Sequence, residues 1–139
     1  MRARIMAHMI PFFPDLSTSR AVVDGLVEGG VAYLEIQFPF SDPSADGPAI
    51  QAACSAALKQ GFSVEAGFEF VSEVCAAAPE VPVFLMTYAS IPVSYGVTRF
   101  VNRCARVGVT GIIAPDLPPD YDEGIYPAAR QAGISVVPV

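Results

Sequence analysis

The chain has 139 residues, room for one domain and one core, with 53% hydrophobic and 16% charged residues and a mean hydropathy of +0.46. Its net charge of −6, a lone lysine (Lys59) and scattered arginines offer no basic patch for a nucleic-acid backbone. Cys54, Cys75 and Cys104 have neither metal-ligand nor disulfide-framework spacing, and no apolar run reaches the ~20 residues of a membrane span. Arg2 and Arg4 precede an apolar stretch that His8 and Pro11 break, which argues against a signal peptide. A cytoplasmic protein with small buried thiols is expected.

Ile5 to Ile10 is a first apolar run, ended by Pro11 to Asp15. Ser17 is placed to cap a helix carrying Ala21, Val22, Leu26 and Val27 on one side and stopped by Gly29-Gly30. Ala32 to Gln37 reads as the second strand. Pro48 suits the first position of a helix running to Lys59, with Gly47 as N-cap and Gly61 as its stop. Ser63 caps a further helix, with Phe68, Val71 and Val74 at helical spacing, that extends toward Pro79. Val81 to Thr87 is the third strand, Thr98 to Val107 a helix ended by Gly108, and Gly111 to Ala114 the fourth strand. Asp120 to Ala132 contains a short helix before Gly133, and Ile134 to Val137 is the fifth strand.

Continuous apolar strands alternating with helices predict right-handed crossovers and a parallel sheet buried on both faces. Two architectures fit this order: a five-stranded doubly wound sheet, or part of a (β/α)8 barrel, which takes about 250 residues when whole. In either, the functional loops follow the carboxyl ends of the strands. There the chain carries two carboxylates: Glu35 inside an apolar strand, and Asp46 on a Pro/Gly/Ser loop before a helix. A charge within such a strand costs several kcal/mol unless it is paired, neutralised or used. Both side chains are expected on one face and in one cleft.

Leu34-Glu35-Ile36-Gln37-Phe38-Pro39-Phe40-Ser41-Asp42-Pro43-Ser44-Ala45-Asp46-Gly47-Pro48-Ala49-Ile50-Gln51 resembles the signature of the tryptophan synthase α subunit family. Val81 to Tyr88 is similar to the family's third strand, and Val107 to Pro119 to its fourth strand and Pro-Asp-Leu-Pro loop. The resemblance runs through nearly the whole chain. It implies an α/β fold that is a partial (β/α)8 TIM barrel, strands 1–5, with residues 1–139 as its single N-terminal portion.

The implied activity is cleavage of indole-3-glycerol phosphate to indole and glyceraldehyde 3-phosphate in tryptophan biosynthesis. The implied partner is the β subunit, in an α2β2 heterotetramer. The chain itself is expected to need no cofactor or metal, pyridoxal phosphate belonging to the β subunit. Glu35 falls on the family's catalytic Glu, where apolar surroundings favour a group cycling between acid and base. Asp46 falls on the catalytic Asp, suited to stabilising positive charge near the indole nitrogen. Tyr88 and Ile113 are implied to line the indole pocket, and Phe40, Asp42 and Asp116 to lie on loops facing the partner.

The chain also departs from the family pattern. Gln37 replaces a small residue and would narrow the pocket floor, and Ser90 replaces a common Asn. The first loop keeps only Asp15 of a Thr-x-Gly-Asp-Pro pattern, and no Gly-rich phosphate loop occurs. The alternative expectation is therefore a truncated, inactive barrel fragment that acts at most as a partner-binding module. Taken alone, it would fold poorly and self-associate. His8 is expected to be a hydrogen-bonded strand residue, and Glu65, Glu69 and Glu73 a solvated helix face.

Overall fold

The computed structural model describes residues 3–118, 120 and 122–139; Arg2 and Pro119, which the sequence reading used, lie outside them. The elements are β1 (Met6–Met9), α1 (Leu16–Glu28), β2 (Tyr33–Gln37), α2 (Pro48–Lys59), α3 (Val64–Ala77), β3 (Val83–Met86), α4 (Ser90–Tyr95), α5 (Val97–Val107), β4 (Gly111–Ile113), α6 (Ile125–Ala132) and β5 (Ser135–Val137). The five strands are parallel and lie in the order β1-β2-β3-β4-β5. That order decides between the two architectures. A doubly wound sheet reverses its strand order at a switch point and carries helices on both faces. Here the order never reverses, and one apolar layer joins the same strand face to α1, α3, α5 and α6. This is a segment of a (β/α) barrel.

Leu34, Ile36 and Phe38 point into the helix layer and are fully buried, with Phe38 edge-on to Phe62, Phe68 and Phe100. Gly67 lets α3 lie this close: a Cβ there would stand 2.7 Å from the Phe62 ring and 2.9 Å from the Phe38 ring. The opposite, concave face holds Tyr33, Glu35 and Gln37 of β2, which share register with Phe84 and Met86 of β3 and with His8 of β1. Gly111 makes room on this face for the Phe84 ring, which a Cβ would meet at 2.7 Å.

Burial on both faces holds only toward the middle of the sheet. Met6 is 40% exposed and His8 and Ser135 are exposed, because among the described residues none covers these concave-side positions of β1 and β5. The helical expectations also need correction. The cap of α1 is Asp15, whose carboxylate accepts from the Thr18 N–H and from the Ser17 and Thr18 hydroxyls. Ser17 lies two residues past the cap, already inside the helix. With the helix so started, Ser19 and Val23 become its buried residues, and Val22 turns outward at 41% exposure. Helix α4 was not foreseen; its Ile-Pro-Val sequence gives no helical apolar period. Cys54 and Cys104 are buried and Cys75 half-buried, all as free thiols. Burial raises the pKa of each thiol, that of Cys75 to about 11. Glu65, Glu69 and Glu73 are exposed as expected, and the Glu73 carboxylate accepts from Arg20 Nε and Nη2 at 2.8 and 3.0 Å.

Candidate functional site

Glu35 sits mid-strand on the concave face of β2, between His8 of β1 and Phe84 of β3. It is half-buried rather than dry, because the surface above it is open. Strand alternation puts Gln37 on the same face, one step nearer the carboxyl end. Beyond it the chain leaves the sheet through Pro39 to Gly47, in a loop tightened by the Ser44 N–H to the Asp42 carbonyl and the Asp46 N–H to the Pro43 carbonyl. This turn brings Asp46 back over the strand ends.

Two side chains hold the Asp46 carboxylate. Gln37 Nε2 and the Tyr88 hydroxyl each donate to its Oδ2 at 2.8 Å. Tyr88 leaves the end of β3 fully buried, and its oxygen accepts the Ala45 N–H at 3.0 Å. The phenol pKa is pushed up to about 12, chiefly by burial, with the hydrogen bond to Asp46 adding to it. Gln51 Nε2 donates to the Asp46 carbonyl at 2.8 Å, tying the loop to α2. Glu35 thus lies mid-strand on the face whose carboxyl-end residue, Gln37, holds Asp46. A groove of ≈ 390 Å³ opens beside β1, lined by His8, Phe13, Val22 and Ile50 among others.

The remaining sequence candidates separate. Ile113 is buried with Met86 and Tyr88 in a small concave-side cluster, against which Phe40 packs. The Phe40 ring stacks on Tyr88 at 5.1 Å, so this loop aromatic turns inward. Asp42 is exposed and accepts from the Ser41 hydroxyl, the posture of a turn residue. Asp116 is exposed, and its carboxylate accepts the Ala89 N–H at 2.9 and 3.2 Å, joining the loops after β3 and β4. Gln37 does not lie across an open pocket floor. It is 1% exposed, turned toward Asp46, with Cys54 Sγ 3.7 Å from its amide. His8 is the hydrogen-bonded strand residue expected of it, with Nε2 2.7 Å from Gln37 Oε1.

Sequence reasoning weighed Gln37 and His8 separately and missed that they form one chain of contacts with Asp46. The available signal was alternation along Tyr-Leu-Glu-Ile-Gln, which puts both polar side chains of that strand on one face.

Comparison with known proteins agrees with this architecture. The family model described as Tryptophan synthase alpha chain matches residues 1–139. The tryptophan synthase alpha chain of Desulforapulum autotrophicum is 43% identical over 133 residues, spanning 96% of this chain and 52% of the relative. That of Syntrophotalea carbinolica is 42% identical over the same shares. A solved chain from Aquifex aeolicus VF5 superposes with a TM-score of 0.93 at 35% identity, covering 97% of this chain and 53% of that one. A chain of tryptophan synthase from M. tuberculosis gives 0.92 at 32% identity, covering 99% and 54%. The chain spans about half the length of the relatives it matches.

Proposed function

The chain belongs to the tryptophan synthase alpha chain family, and from that premise we propose that the protein it builds is the lyase that cleaves indole-3-glycerol phosphate to indole and glyceraldehyde 3-phosphate. One observation carries the reading: Asp46 is held by Gln37 and Tyr88 above the strand face that presents Glu35.

In the proposed reaction Glu35 delivers a proton to indole C3, and the ring becomes an indoleninium cation. Asp46, fixed near the ring nitrogen, stabilises that positive charge, a contribution that counts only as the charge develops. The hydroxyl on the adjoining glycerol carbon then loses its proton to the carboxylate that Glu35 has become. As it does, the bond from C3 to that carbon breaks. Its electron pair returns to the ring, and the carbon leaves as the aldehyde. Tyr88 and Ile113 offer the apolar wall on which an indole ring would rest. The chemistry of this chain calls for no cofactor or metal. We further propose the β subunit as partner, in an α2β2 assembly with pyridoxal phosphate on the β side, and the loops of Asp42 and Asp116 as the facing surface.

The test is Glu35→Gln in the complete natural polypeptide that contains these residues. Indole release should fall by roughly 10²–10⁴-fold, with binding of a substrate analogue little changed. Full activity in the purified variant would mean that the proton moves through another group.

A second reading has its own support in the open concave face at β1 and β5, where Met6 and His8 are exposed. Residues 1–139 taken alone would then form a non-catalytic module that self-associates or binds a complementary barrel half. An indole-release assay on the purified monomeric 139-residue chain, with its size and melting measured in parallel, separates the readings. Unaided cleavage by a well-folded monomer rules out the module.

A further inference from the structure

We propose that Gln37 and His8 form a positioning relay for Asp46, in which His8 fixes the orientation of the Gln37 amide and Gln37 fixes the carboxylate; its catalytic consequence rests on the lyase reading above. The argument begins with donors and acceptors. An ionised carboxylate can only accept, so the end of the Gln37 amide facing Asp46 must be its NH2. The Ala45 N–H occupies Tyr88 from the other side, so the Tyr88 hydroxyl proton also goes to Asp46. With its nitrogen committed, Gln37 turns its Oε1 toward β1, where His8 Nε2 stands 2.7 Å away. His8 must then donate, which makes the neutral imidazole the Nε2–H tautomer. An imidazolium donates from the same nitrogen, so the relay survives protonation of His8.

Both donors fall on Asp46 Oδ2. Oδ1 is left as the oxygen for a ring N–H. The burial of Gln37 makes the orientation strict: a flipped amide would set its oxygen against the carboxylate with no water at hand to relieve the repulsion. The two side chains that would orient the aspartate come from neighbouring strands and stand 29 residues apart in sequence.

The experiment uses the complete natural polypeptide, labelled with 15N-histidine, with the His8 signal assigned by its loss in H8Q. At a pH where His8 is neutral, its proton should reside on Nε2, and Q37M should remove that preference. Q37M should lower kcat roughly tenfold, the scale of one hydrogen bond to a charged group, with KM little altered. H8F should cost about threefold to tenfold. H8Q, whose amide nitrogen reaches the place of Nε2, should restore most of the loss. An Nδ1–H tautomer in the wild type overturns the relay, as does equal activity of H8F and H8Q. If the wild type fails to cleave indole-3-glycerol phosphate, the lyase reading falls, while the tautomer and the affinity for indole itself still judge the relay. Weaker indole binding by Q37M would then support it, and unchanged binding would overturn it.

Discussion

The two faces of β2 are built from alternate residues of one short strand and do different work. Leu34 and Ile36, at 0% exposure, point into the layer of aromatic rings beneath the helices, while Tyr33 and Glu35 look onto a concave surface that is half open. The convex side is dry and tightly filled, with Phe38 touching three other rings. The concave side buries polar groups only where each has a partner, as Gln37 and Tyr88 do around Asp46. One face supplies the free energy of folding. The other uses that rigidity to hold the Asp46 carboxylate over the strand that carries Glu35, which a loop alone would do less well.

The contrast can be broken most forcefully on the convex side. Phe38→Ala removes a fully buried ring from the centre of the aromatic cluster and should cost about 3–5 kcal/mol in chemical denaturation. A loss under 1 kcal/mol would mean that the helix layer is far looser than drawn. Next comes Gly67→Ala, which pushes a methyl group against the Phe38 and Phe62 rings. Although alanine favours helix, overpacking should dominate at about 1–3 kcal/mol destabilising. A stabilised variant would show that the rings can move aside.

On the concave side, Tyr88→Phe deletes one donor to Asp46 and leaves the Ala45 N–H without its acceptor. The expected loss is about 1–3 kcal/mol. A pH signature accompanies it. Burial pushes the pKa of the folded phenol up to about 12, from 10.0 for an unperturbed tyrosine. The unfolded chain therefore releases this proton first, and stability is complete below about pH 10 and lost as pH rises toward 12. Tyr88→Phe should flatten that alkaline decline in denaturation curves. An unchanged decline would assign it to other groups. The smallest effect belongs to Met6→Ala, on the concave side of β1 at 40% exposure, which should stay within about 0.5 kcal/mol. A cost like that of a core methionine would reveal a partner covering this face.

Much of this molecule is readable without coordinates because its signals are local. Gly and Pro mark the ends of most elements, apolar runs mark the strands, and Gly47-Pro48 starts α2 where expected. The motif from Leu34 to Gln51 carries the family and both candidate carboxylates in one stretch. Three features were not legible for reasons of geometry. Asp15 and Ser17 are both good capping residues, and only the helix start chooses between them. Val22 and Val23 are equally apolar, and burial of the second follows from how α1 lies on the sheet. Helix α4 carries no period of its own.

What the sequence by itself determined was the order of the strands and of every helix but α4, the family, and the two candidate carboxylates on and after β2. Each follows from neighbours along the chain. Only the tertiary structure decided that the sheet runs in unbroken order with α1, α3, α5 and α6 on one side, and that His8, Gln37, Tyr88 and Asp46 meet. The physical reason is that strand pairing and side-chain hydrogen bonds join residues far apart in the chain. A hydrogen bond between His8 and Gln37 exists only once β1 and β2 lie in register, and that register forms only when the two strands bury their apolar faces together.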